Sequence, residues 1–148
     1  MYSCVFFGHR EYNYDGFQGQ IKDILIDLIE NYNVRQFYSG ARGNFDWVCI
    51  KIIRELKQRY PYIQCIRVWA YMPNKDEEQE YFDGSVYVLE KRVPPLYAIL
   101  ETNKQLLDKV EYILSGVTHS WGGAWSAVEY GRKRGKTIIS IVKEEKFL

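Results

Sequence analysis

Short apolar runs alternate along this chain with longer amphipathic stretches, and that alternation restricts the fold more than any other feature of the sequence. Tyr2 to Phe7 (YSCVFF) ends at Gly8 and has the form of a strand buried on both faces. From Phe17, the positions Phe17, Ile21, Ile24, Leu25, Leu28, Ile29 and Tyr32 recur at helical spacing. Val34 to Tyr38 predicts a second strand that stops at Ser39-Gly40. Phe45, Val48, Cys49, Ile52, Ile53, Leu56 and Tyr60 then predict a second helix, ended by Pro61. Ile63 to Ala70 reads as a third strand and Ser85 to Leu89 as a short extra one. Between them, Asn74 to Asp83 is acidic and reads as a solvated loop or short helix.

Pro94-Pro95 opens a helix with the stripe Leu96, Ile99, Leu100, Leu106 and Leu107. Val110 to Leu114 reads as a strand, Ala124 to Arg134 as a helix capped by Gly135, and Thr137 to Val142 as the last strand. Strands and helices in this order imply right-handed crossovers and a mostly parallel sheet. The expected fold is a Rossmann-like three-layer α/β/α sandwich, formed by residues 1–148 as a single domain.

Composition narrows the partners. Twenty basic residues face 19 acidic ones, so the net charge is +1 and nothing in the overall balance attracts nucleic acid or an anionic membrane. Any anion site has to be local. Cys4, Cys49 and Cys65 are widely spaced and form no CxxC pair, which fits reduced, buried thiols rather than disulfides or zinc. Met1 leads straight into a strand without the features of a signal peptide, and no apolar run reaches membrane-spanning length. A cytoplasmic location is expected.

In an open parallel sheet the ligand crevice lies at the carboxyl ends of the strands, where the strand order reverses. Gly8-His9-Arg10 follows the first strand, and Ser39-Gly40-Ala41-Arg42-Gly43-Asn44-Phe45-Asp46 the second. Ser120 to Gly123 follows the strand beginning at Val110. With the first strand beside the Val110 strand, these three turns converge. Gly122 and Gly123 let the backbone approach a phosphate and aim free helix N–H groups at it. Arg10 and Arg42 add positive charge, Asp46 is placed to hold a ribose hydroxyl or simply to favour the helix dipole, and His9 and His119 are capping or acid–base residues. Trp121 and Trp125 flank the glycines as core residues or base-stacking ones. No metal-ligand spacing, Walker motif or Ser-His-Asp order occurs.

The segments FFGHRE, SGARGNFDWV and GGAWSAVEYGRKRGKTIISI together resemble the SLOG superfamily, most closely its YpsA-like branch, over nearly the whole chain. SGARGNFD is similar to the SGxAxGID segment of DprA proteins, with one glycine displaced. Gly122 to Glu129 resembles the GGxGTxxE motif of the LOG phosphoribohydrolases, with Ser126 for Thr and Trp125 in place of a glycine. The arginine that those enzymes carry on the preceding helix is absent; Thr102 stands there, followed by Asn103 and Lys104.

The resemblance implies a nucleotide-derived, phosphate-bearing ligand, and the residues expected to hold it are Gly8, His9, Arg10, Ser39, Gly40, Arg42, Gly43, Asp46, His119, Gly122, Gly123 and Ser126. The leading expectation is a binding or sensing module. An N-glycosidic hydrolase using Glu129 is the alternative, and single-stranded DNA binding by analogy with DprA a second one that the balanced charge disfavours. Neither the motifs nor the resemblance identifies a cofactor. Trp47 and Ile50 fall outside the core stripe of the second helix and, with the dimers of LOG proteins, imply a homo-oligomer.

Overall fold

The computed structural model describes residues 1–71, 79–89 and 91–142. In chain order the elements are β1 (Tyr2–Gly8), α1 (Gln18–Asn31), β2 (Val34–Ser39), α2 (Asn44–Leu56), β3 (Gln64–Trp69), β4 (Gly84–Tyr87), α3 (Pro95–Lys109), β5 (Tyr112–Gly116), α4 (Gly123–Lys133) and β6 (Thr137–Ser140). The strands form one all-parallel sheet in the order β4-β3-β2-β1-β5-β6. The fold is Rossmann-like, and the order reverses between β1 and β5.

Alternation along β1 divides the core. Cys4 and Phe6 point to one face, where Ile21, Leu25 and Ile29 of α1 and Cys49 and Ile53 of α2 cover them. Val5 and Phe7 point to the other, against Leu106 and Leu107 of α3 and Ala127 and Val128 of α4. The three cysteines are free and buried. Burial pushes the thiols of Cys4 and Cys65 up to about 12 and that of Cys49 well above its ordinary value, so they are inert packing groups.

Several sequence expectations need correction. Val110 does not open β5; it closes α3 and packs into the second core cluster, and the strand begins at Tyr112. On α3 the buried face is Ala98, Thr102, Leu106 and Leu107, while Leu96 (83% exposed) and Leu100 face outward. The reason given for self-association does not hold either. Ile50 is fully buried, and Trp47 packs edge-on against Tyr81 and Phe82, which cover the flank of α2. Of the acidic stretch, Asp76, Glu77 and Glu78 lie outside the described residues; Glu80 sits in an exposed 3-10 turn, Gln79–Tyr81.

Candidate functional site

A cleft opens at the carboxyl ends of the central strands. Gly8, His9 and Arg10 line it from the turn after β1, Gly40, Arg42, Gly43 and Asp46 from the turn after β2, and Gly123 and Ala124 from the start of α4. The first two turns and the start of α4 thus face one space at the reversal of strand order, while His119, Trp121 and Gly122 are not among the residues that line it. The wall toward β3 and α3 is formed by Val68, Ile99, Asn103 and Leu106, none of which was singled out as a site residue. The signal for Asn103 was its place one residue beyond Thr102. Thr102 itself is fully buried, with its hydroxyl oxygen unpartnered among the described residues.

The turn after β2 is built by its own polar groups. Ser39 is buried and its Oγ accepts the N–H of Ala41 at 3.1 Å, which bends the chain just past the strand. Ala41 there adopts φ +53°, a left-handed conformation that side chains disfavour. Asp46 reaches back from the first turn of α2, so that its Oδ2 accepts the N–H of Arg42 at 3.0 Å. Gly43 is needed because a Cβ on it would lie 2.4 Å from the Arg10 Cα; at that contact the Asn44 N–H donates to the Arg10 carbonyl at 2.9 Å.

The electrostatics follow from this enclosure. Burial raises the Asp46 carboxyl to about 6, against the opposing pull of the Arg42 N–H and of the Arg42 and Arg10 charges. Burial likewise lowers Arg42, and the neighbouring Asp46 pushes it back up. Asp46 is the one carboxylate lining the cleft among the described residues.

His9, which lines the cleft, meets His119, which is not among its lining residues. Their rings stack with centroids 3.6 Å apart, and Trp121 stacks on the far side of His119 at 3.8 Å. The Thr118 N–H donates to His9 Nε2 at 2.9 Å, so His9 is held neutral in one tautomer. Burial, then the adjacent His119, lowers its pKa to about 4. Tyr14, which sequence reasoning missed, anchors the arrangement: its hydroxyl donates to the Gly116 carbonyl at 2.6 Å and accepts the His9 N–H at 2.8 Å. His119 Nδ1 is buried without a partner among the described residues.

At the other wall, Gly122 caps α4 with φ +95°, a conformation open mainly to glycine, and the Ser126 N–H closes the first turn on the Gly122 carbonyl at 3.0 Å. No atom lies within 4 Å of where a Cβ on Gly123 would stand. Ser126 is exposed, and Trp125 packs at the edge of the α3–α4 core. Glu129 does not line the cleft; it pairs with Arg132 at 3.4 Å on the flank of α4. Gly8 lines the cleft, but its lack of a side chain has a packing cause, since a Cβ there would meet the Phe45 ring at 2.3 Å.

The fold is shared with proteins of known structure. DprA from Streptococcus pneumoniae matches with a TM-score of 0.67 at 12% identity, over 95% of this chain and 50% of that one. DprA from Helicobacter pylori, described for its single-stranded DNA binding, matches at 0.63 and 11%, over 94% and 64%. The Moco carrier protein from Chlamydomonas reinhardtii matches at 0.57 and 13%, over 97% and 78%. The chain spans about half the length of the pneumococcal protein. At these identities the likeness is one of fold, and this chain has that fold, in line with the SLOG resemblance read from its motifs. No protein-family model matches the chain, and no curated protein does. Among the described residues no helix is long and apolar enough to cross a membrane.

Proposed function

We propose that the cleft binds a nucleotide-derived ligand through its phosphate. The observation that carries this is the meeting of two helix N-termini, α2 behind Gly43 and α4 behind Gly122-Gly123, with Arg10 and Arg42 in the same space. Each N-terminus carries a partial positive charge and N–H groups without intrahelical partners, that of Asn44 on α2 being already bonded to the Arg10 carbonyl, and the guanidinium groups supply the full charges an anion needs. Asp46 stands beside them as an acceptor for a sugar hydroxyl.

Binding or sensing is favoured over hydrolysis. A glycosidic hydrolase of the LOG kind would rely on Glu129, which here is engaged with Arg132 outside the cleft, and α3 carries no arginine at all. A second reading, a single strand of nucleic acid crossing the same cleft, is favoured by the fold shared with the Helicobacter pylori DprA and by exposed Arg10; the net charge of +1 opposes it.

Gly123→Asp tests the site. The space beside Gly123 is open, so the variant folds, while its carboxylate stands at the positive end of α4. Titration calorimetry with nucleoside monophosphates should show binding to the parent and its loss in this variant, with Glu129→Gln close to the parent. Equal affinity of the parent and the Gly123→Asp protein would remove the phosphate from this turn. Rate loss on the order of a hundredfold in Glu129→Gln, for release of free base, would instead establish the hydrolase.

A further inference from the structure

Three rings stand in series beside the glycine turn: His9 on His119 with planes 16° from parallel, and His119 on Trp121 at 19°. The inner end of the series is fixed. His9 is held at its backbone by Tyr14 and at Nε2 by Thr118, so its imidazole is a fixed backing for the ring of His119. The outer end is Trp121, which is 67% exposed although it is the largest side-chain type there is. Leaving an indole in water forgoes the favourable burial of its apolar area. Holding it flat against a second ring also fixes its orientation in advance, which lowers the entropy cost of adding a further planar partner. Its place in the chain sets where that partner would lie, because Trp121 directly precedes Gly122 and the first turn of α4.

We propose that Trp121 is the base platform of the site: the planar heterocycle of the ligand stacks on the outer face of the indole, continuing the His9–His119–Trp121 series, while its phosphate rests on the Gly122-Gly123 turn. The second half of this statement rests on the phosphate reading above; the first stands on the ring geometry. Stacking recognises any base and favours the larger ones, since every base has a π-face and the contact grows with ring area. The preference is therefore for purine-sized heterocycles without strict base identity. A base joined through a sugar to a phosphate can arrive as a free nucleotide or within a single strand, and the two sources share this chemistry.

The test compares the parent with Trp121→Ala and Trp121→Phe, using adenosine monophosphate, ribose 5-phosphate and a short single-stranded oligodeoxyadenylate as probes, with affinities from titration calorimetry. Trp121 is exposed, and circular dichroism checks that the variants remain folded. The expected result is a loss of about tenfold in affinity for adenosine monophosphate in Trp121→Ala. Trp121→Phe should stay near the parent, and ribose 5-phosphate should bind all three proteins alike. Undiminished binding of the nucleotide and of the strand to Trp121→Ala would overturn the platform and leave the phosphate site standing. Loss of nucleotide binding in Trp121→Ala, with no binding of ribose 5-phosphate to any of the three, would support the platform and overturn the phosphate site. If only the strand binds and Trp121→Ala weakens it, the platform stands and its source is a strand. If neither the nucleotide nor the strand binds the parent, the platform is overturned.

Discussion

Gly8 and Gly116 lie opposite each other in the parallel register of β1 and β5, and the ring of Phe45 occupies the space that a side chain on either would need. A Cβ at Gly8 would come to 2.3 Å from the ring and one at Gly116 to 2.4 Å. Phe45 is fully buried in the first turn of α2, one residue before Asp46, so it cannot yield without moving the helix start that helps form the cleft.

Gly8→Ala is therefore expected to destabilise the protein by about 1–3 kcal/mol through overpacking. Combining it with Phe45→Leu should recover part of that loss, because the smaller side chain relieves the contact that the alanine creates. Urea denaturation of the two single variants and the double variant gives the coupling energy. A Gly8→Ala protein as stable as the parent would show that the ring, not the glycine, adapts.

Asp46 and His9 give opposite responses to acid. Asp46 titrates near 6 when folded against an ordinary 3.8, so the stability linked to it is complete below about 4 and is lost as the pH rises through about 6. His9 titrates near 4 against an ordinary 6.5, so its linked stability is present above 6.5 and is lost as the pH falls toward 4. Measured as a difference from the parent, the stability of Asp46→Asn should drop as the pH is lowered from 6 to 4. The difference for His9→Asn should rise over the interval from 6.5 to 4. Thermal melts across that range check both signs, and parallel curves for the parent and variants would refute the assignment.

Ala41 occupies the left-handed region in the turn after β2. Glycine pays no steric cost there but loses more chain entropy on folding, so Ala41→Gly should stabilise the protein by about 0.5–1 kcal/mol. Ala41→Val, with its β-branch, should destabilise it. Calorimetric melting temperatures that move together for the two variants would mean that the methyl contact, not the backbone, governs this position.

Periodicity made most of the fold legible, because buried parallel strands and amphipathic helices write their burial directly into the spacing of apolar residues. It failed where burial was supplied by something remote. Trp47 and Ile50 look surplus on a helical wheel, yet Tyr81 and Phe82 or the sheet cover them. Leu96 and Leu100 look like core, yet α3 meets the sheet through Ala98, Thr102, Leu106 and Leu107. The three turns of the site were legible because the sheet rule places them together once the strand order is known. The stacking of His9 on His119 was not, since no local pattern records a contact between rings from opposite ends of the chain. Nor was the part of Tyr14, whose ring is almost wholly buried and whose hydroxyl joins two strand ends.

The loop after β1 is stitched on both sides. Arg10 and Tyr12 accept from the backbone and side chain of Asn44 on α2, while Tyr14 donates to Gly116 at the end of β5 and His9 accepts from Thr118 just beyond it. Those ties fall at fixed intervals along six residues, so the segment has little freedom to change its length, whatever happens to its composition. An inserted residue would put one side or the other out of step. The changes this frame admits are exchanges of side chain at Arg10, Glu11 and Tyr12 and the lengthening of other loops.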